Sequence, residues 1–263
     1  MEEAVITKQD GELFEIILNQ PAKRNSIDWD TFKALAAAVE SAERAVGVRA
    51  VLLSGAGAGF STGIDLNALT NISKLFGANW QARLPYIIAD FQSVLNRLER
   101  LRLPTIALLR GYALGLGLEI ALACDFRLAA RHTKLALPES RLGLIPDVGG
   151  TTRLTHLIGP ARSKEYIMSG KLIPLDKAEA WGLVNRIVPA QDLRSQALEF
   201  IAELTSAAPL AVSYAKQVID DLEDLPRGLQ LEIWAQSQLI QTQDFQIGLQ
   251  SALDKSAPRW LGK

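Results

Sequence analysis

Between Tyr112 and Cys124 the chain carries a single charge, Glu119, among glycine, alanine and large apolar residues. An ionised carboxylate in such a setting loses hydration, which is costly unless it is paired, hydrogen-bonded or shifted in pKa. A nearby backbone group or Arg110 could satisfy Glu119; so could a role as an acid or base. Gly111, Gly115 and Gly117 precede it and let the backbone turn sharply and approach another group closely. Ile120-Ala-Leu-Ala then reads as the start of a buried helix, and the N–H groups of a helix N-terminus favour developing negative charge. The stretch therefore offers donors for an oxyanion beside a carboxyl group of adjustable pKa. Two further acids stand at comparable places. Asp65 follows the glycine-rich run Gly55 to Gly63, and Glu139 sits in Leu137-Pro-Glu-Ser. Ligands of parallel α/β proteins bind where the carboxyl ends of strands meet loops, so these acids can converge.

Several other chemistries fail on spacing. Gly115-Leu-Gly117 has Ile120 where a dinucleotide fingerprint needs a third glycine, Gly55-x-Gly57-x-Gly59 is spaced wrongly, and no P-loop lysine follows either loop. Ser54 and Ser61 lack a nucleophile elbow. His132, His156 and Cys124 cannot build a usual structural zinc site, so no metal is expected. The net charge of −1 over 263 residues gives no general case for nucleic acid or an acidic membrane surface. The lone Cys124 excludes an intrachain disulfide framework and, from its apolar neighbours, reads as a buried thiol. No apolar run is long enough to span a membrane, and the acidic start resembles neither a signal nor a transit peptide, so a soluble cytoplasmic protein is expected.

The elements that must hold these residues follow from patterning. Val5–Thr7 and Leu13–Leu18 read as strands joined through Asp10-Gly11. Ser26 or Asp28 can cap a helix through Phe32, Leu35, Ala36, Val39 and Ala42. Arg49–Ser54, Thr105–Arg110, Phe126–Ala130, Lys134–Leu137 and Leu183–Val188 read as further strands. Ile87–Leu101, Thr151–Leu157 and Ala161–Ser169 read as helices, and residues 67–85 as loop and loosely helical. From Asp192 onward only helical patterns appear. The expectation is an α/β core over residues 1–195 and a helical region over 196–263.

At this resolution a resemblance becomes specific. Phe60-Ser-Thr-Gly-Ile-Asp65-Leu, Gly111-Tyr-Ala-Leu-Gly-Leu-Gly-Leu-Glu119, Leu137-Pro-Glu139 and Ile145-Pro-Asp-Val-Gly-Gly-Thr151 resemble the loops of the crotonase superfamily, the enoyl-CoA hydratase/isomerase fold. The likeness runs from Asn19-Gln-Pro-Ala-Lys-Arg-Asn to Ala252-Leu-Asp-Lys255. It implies a crotonase-type ββα superhelical core with a helical C-terminal trimerisation region, in a homotrimer or a hexamer of paired trimers. It also implies a coenzyme A thioester as substrate, and no permanently bound cofactor.

By position, the backbone N–H groups of Thr62 and Leu116 match the pair that holds the thioester oxygen. Many relatives have glycine at 116, and the leucine suggests a narrower acyl pocket. Glu119 and Glu139 match the two catalytic glutamates of the hydratase branch, with water activation assigned to Glu119 and α-carbon protonation to Glu139. Ser61, Gly63, Ile64 and Asp65 belong to the loop beside the substrate, Asp65 ordering it rather than reacting. Lys23, Arg24 and Lys255 resemble the basic residues near the coenzyme A phosphates. Trp80, Leu84 and Ile87 stand where an acyl pocket or simple core packing would place them.

Asp147 matches an extra pocket acid of dienoyl-CoA isomerases, but as a preferred cap residue it is expected to cap the helix that begins near Gly150. Hydration is the expected reaction because both glutamates are present. An enoyl- or dienoyl-CoA isomerase is the rival enzyme, and a non-catalytic acyl-CoA-binding or scaffold protein is the rival outside catalysis.

Overall fold

The computed structural model describes residues 3–222, 242–254 and 256–263. Its centre is a six-stranded sheet of β1 (Val5–Asp10), β2 (Leu13–Leu18), β3 (Ala50–Gly55), β4 (Thr105–Leu109), β6 (Phe126–Ala130) and β8 (Arg186–Val188), in that spatial order. The β1–β2 hairpin is antiparallel and turns through Gly11, while every other pair is parallel. Both faces are covered, so the strands read as apolar runs rather than as clean alternation. Val51, Leu53, Ala107, Leu109 and Ala129 face the main core, with α1 (Trp29–Arg44) and α5 (Leu116–Leu122). Ala50, Leu52, Ile106, Leu108, Leu128 and Ala130 face the other way, onto Leu193, Ala197 and Ile201 of α9 (Leu193–Thr205).

Helix α9 runs through residue 195 and closes the second face of the sheet. Arg194 on it holds buried Glu15 of β2 with two hydrogen bonds of 2.8 and 2.7 Å. The α/β core therefore includes residues on both sides of the 195/196 division. Beyond it lie α10 (Pro209–Asp220) and a helix at Gln243–Asp254.

A second, two-stranded sheet sits above the first. β5 (Tyr112–Leu114) pairs in parallel with β7 (Lys134–Ala136). Patterning identifies Lys134–Leu137 as a strand but misses β5, because three residues between glycines carry no period. Backbone hydrogen bonds tie this small sheet to neighbouring loops: Leu114 N–H donates to Ser61, Gly115 N–H to Ala136, and Ile173 N–H to Leu135.

Between β3 and β4, residues 67–85 are more regular than expected. They form α2 (Leu66–Thr70), α3 (Ile72–Phe76) and the start of α4 (Trp80–Glu99), which continues through Pro85. Proline there lies past the first turn and removes one interior backbone bond, the one its N–H would have given to the Gln81 carbonyl. Ile87 is buried, whereas Trp80 and Leu84 are only partly covered. After β7 and the turn at Glu139–Leu142 come α6 (Gly150–Ile158), α7 (Pro160–Ser169) and α8 (Leu175–Ala180), the last not foreseen. Among the described residues no helix is long and apolar enough to cross a membrane.

Candidate active site

Glu119 lies in the first turn of α5, and only 2% of its surface is exposed. Arg110 does not satisfy it: that guanidinium reaches outward to the Ala190 carbonyl. Two backbone donors from a distant loop do so instead. Glu119 Oε1 accepts the N–H of Val148 at 2.9 Å and that of Gly150 at 2.8 Å. The approach is close enough that a Cβ on Gly150 would stand 2.7 Å from that oxygen, so only glycine fits. Burial pushes the Glu119 carboxyl up to about 8. The negative fields of Glu139 and Asp147 add to the rise, and the two N–H donors oppose it.

Glu139 opens the short 3-10 turn after Pro138. Its Oε1 stands against Gly115, where a Cβ would come within 2.8 Å of it. Gly115 (φ +51°) makes the left-handed turn before α5. That leaves Leu116 with ordinary helical backbone, which is why a leucine is tolerated there; its side chain packs into the main core. Glu139 Oε2 is buried without a hydrogen-bond partner among the described residues, and burial, aided by Asp147, pushes this carboxyl up to about 7.

The Leu116 N–H is the first of α5 and has no intrahelical acceptor. Thr62 approaches the same place, since the Gly63 backbone passes so close that a Cβ there would lie 3.0 Å from the Leu116 nitrogen. The Thr62 N–H donates to the Arg24 carbonyl at 3.2 Å. Ser61 is fully buried; its hydroxyl donates to the Asn25 carbonyl (2.7 Å) and accepts the Gly63 N–H (3.0 Å), so its side chain shapes the loop and presents nothing to a ligand. Ile64 pairs with Ile27, and Asp65 caps α2 through Asn67 N–H (2.8 Å) while accepting from Ser26 (3.1 Å). Lys23 and Arg24 are exposed on the turn before α1. Lys255 lies outside the described residues.

The expectation for Asp147 is corrected. Helix α6 has Gly149 as its N-cap and no side-chain cap of its own. Asp147 is exposed, its carboxyl is raised chiefly by desolvation, and its carbonyl accepts from Gln92 Nε2 at 2.6 Å. The cap is supplied across space by Glu119. No sequence signal names Val148 and Gly150 as its partners. The Gly149-Gly150 pair after Pro146 was the available hint, because paired glycines mark a close backbone approach.

Cys124 is buried, and desolvation pushes its thiol up to about 12, so it is inert. A cavity of about 850 Å³ opens beside α4, α6 and α10, but neither glutamate lines it. Glu119, Glu139 and the start of α5 thus sit at the loops after β3, β5 and β7, not in that cavity.

The chain and its fold are similar to those of known proteins. The family model described as enoyl-CoA hydratase/isomerase matches residues 8–263. A protein of Arabidopsis thaliana named probable enoyl-CoA hydratase 2, mitochondrial, is 33% identical over 98% of this chain and 84% of its own length. The short-chain-enoyl-CoA hydratase of Clostridium acetobutylicum is 34% identical over 87% of this chain and 83% of its own. Among solved structures, an enoyl-CoA hydratase from Bacillus anthracis superposes with a TM-score of 0.91 at 34% identity, covering 99% of this chain and 100% of that one. With a family match from β1 to the C-terminus, and a solved relative of the same fold over its whole length, the chain belongs to the enoyl-CoA hydratase/isomerase family.

Proposed function

We propose that this protein adds water, syn, across the double bond of a trans-2-enoyl-CoA thioester to give a 3-hydroxyacyl-CoA. The observation that carries the reading is two carboxyls, buried Glu119 and half-buried Glu139 with its Oε2 enclosed, standing beside Leu116, the first residue of α5, and both raised toward neutrality. Hydration needs one carboxylate to take a proton from water and one carboxylic acid to give a proton to carbon. The charge of Glu139 is among the causes that raise Glu119, so their titrations are linked. The two N–H donors to Glu119 oppose its rise without cancelling it, so burial still leaves it, at about 8, above Glu139, at about 7. The reaction uses the microstate of the pair in which Glu119 is ionised and Glu139, whose buried Oε2 has no donor among the described residues, carries the proton.

In this reading Glu119 takes a proton from water as the oxygen bonds to the β-carbon. The double-bond electrons move to the thioester, and the charge settles on its oxygen. The N–H of Leu116 receives that oxygen directly, and the N–H of Thr62 joins it by exchanging the Arg24 carbonyl for the ligand. Each such donor is worth ~10²–10³ in rate. Glu139 then protonates the α-carbon and the thioester re-forms. Lys23 and Arg24 are assigned to the coenzyme A phosphates. The helices beyond residue 195 are assigned to subunit contacts in a trimer or paired trimers, a reading supported by exposed Ile219, Leu222 and Phe245.

One observation favours a second reading. Asp147 acts on both glutamates through its field, and a third acid beside the pair suits proton shuttling in an enoyl- or dienoyl-CoA isomerase. The test is a panel of 2-enoyl-, 3-enoyl- and 3,5-dienoyl-CoA esters with the wild type and Glu119→Gln. Hydration should be fastest and should vanish in the variant while thioester binding persists. A dominant 3,5-dienoyl activity, or near-normal hydration by the variant, would reject the assignment.

A further inference from the structure

Glu119 is held by a loop, and the loop is itself held. The carbonyls of Asp147 and Val148 are each taken by a side chain. Gln92, on α4, donates to the Asp147 carbonyl at 2.6 Å. Arg153, one turn into α6, donates to the Val148 carbonyl at 3.2 Å through Nη1. The rest of the Arg153 guanidinium is anchored on α4, to Glu99 at 3.0 and 2.8 Å and to Asn96 at 2.6 Å. Its side chain is only 10% exposed, so this fork is better shielded than an ordinary surface pair. The Asp147–Val148 peptide gripped by Gln92 presents its N–H to Glu119 Oε1, and Arg153 grips the next peptide, which leads directly into the Gly149–Gly150 peptide whose N–H is the second donor to that oxygen.

We infer that Gln92 and Arg153 are positioning residues for the reaction, tying α4 to the 146–150 loop so that its N–H groups stay aimed at Glu119. The inference rests on Glu119 being the water-activating base. It makes α4 the support on which that base is oriented. The ionisable groups that act on Glu119 are the Glu139 and Asp147 carboxyls; both are retained in every variant below.

The experiment follows the Glu119 carboxyl directly by ¹³C NMR titration, its resonance assigned by loss in Glu119→Gln. Gln92→Met and Arg153→Met are compared with the wild type, and Arg194→Met removes an equally bidentate ion pair far from the site. Weakened N–H donation disfavours the carboxylate, so Glu119 should titrate about half to one pH unit higher in the first two variants. The acid limb of the hydration profile should move with it, and kcat should fall ~10-fold with KM within about twofold, as for a misaligned base. Arg153→Lys, which keeps the charge but not the fork, should recover part of the loss. Arg194→Met should lower Tm and leave the titration in place.

An unmoved Glu119 titration in folded Gln92→Met and Arg153→Met overturns the inference. A moved titration with normal hydration by Glu119→Gln upholds the clamp and removes the catalytic reading instead.

Discussion

The carboxylate of Glu119 caps a helix to which it does not belong: its Oε1 accepts the Gly150 N–H at 2.8 Å, at the first residue of α6. The residue that reads as the isolated charge of one stretch is thus the missing cap of another. The contact makes the Glu119 carboxyl, the proposed base, and the start of α6 interdependent. Gly150→Ala tests this most simply, because Gly150 has no left-handed φ and the added methyl acts by contact alone. It would stand 2.7 Å from Glu119 Oε1 and 2.9 Å from Pro146 Cβ. The expected result is a fall in kcat of about 10²-fold, from displacement of the base, with a loss of roughly 1–3 kcal/mol in stability from overpacking. Steady-state kinetics and thermal melts measure the two effects separately.

In the proposed mechanism the two raised carboxyls set the pH dependence. The working form holds one proton on the pair; losing the first creates it and losing the second destroys it. The profile of kcat/KM should therefore be a narrow bell, with limbs near 7 and 8. A flat profile from pH 6 to 9 would show that these groups do not govern the reaction.

The same shifts carry a stability consequence. A carboxyl whose folded pKa lies above its unfolded value binds more protons when native, so stability falls as pH rises from about 4.5 toward about 8. Glu119→Gln keeps an oxygen for Val148 and Gly150 and carries no charge. It should melt several degrees higher than the wild type at pH 9 and within a degree or so at pH 5, where the wild-type carboxyl is already protonated. At roughly 2–4 °C per kcal/mol, calorimetry resolves this.

Leu116 is the N1 residue of α5 behind a left-handed Gly115. Proline is tolerated at N1 and lacks an N–H. Leu116→Pro should therefore remove one oxyanion donor while keeping the helix, with kcat down ~10²–10³-fold. Circular dichroism checks the fold, and unchanged turnover would place the oxyanion elsewhere.

Exposed apolar residues on and beyond α10 predict association through that end of the chain. Light scattering coupled to size exclusion should give a trimer or a multiple of one; a clean monomer would refute the assignment.

What the sequence alone determined was what is local or periodic. The β1–β2 hairpin, the Asp28 cap that accepts Thr31 N–H at 2.9 Å, the strands of the main sheet and the glycine turns were all legible, because each depends on neighbours a few residues away. So were Glu119 and Glu139 as acids needing an explanation. Tertiary structure decided what depends on residues far apart in the chain. It gave Glu119 the N–H groups of Val148 and Gly150 in place of Arg110, left Glu139 Oε2 without a donor, and passed the Asp147 carbonyl to Gln92. It also carried α9 across the expected boundary to close the sheet. Burial and long-range hydrogen bonds are set by which loops meet, and no local pattern encodes the meeting of residues 119 and 150.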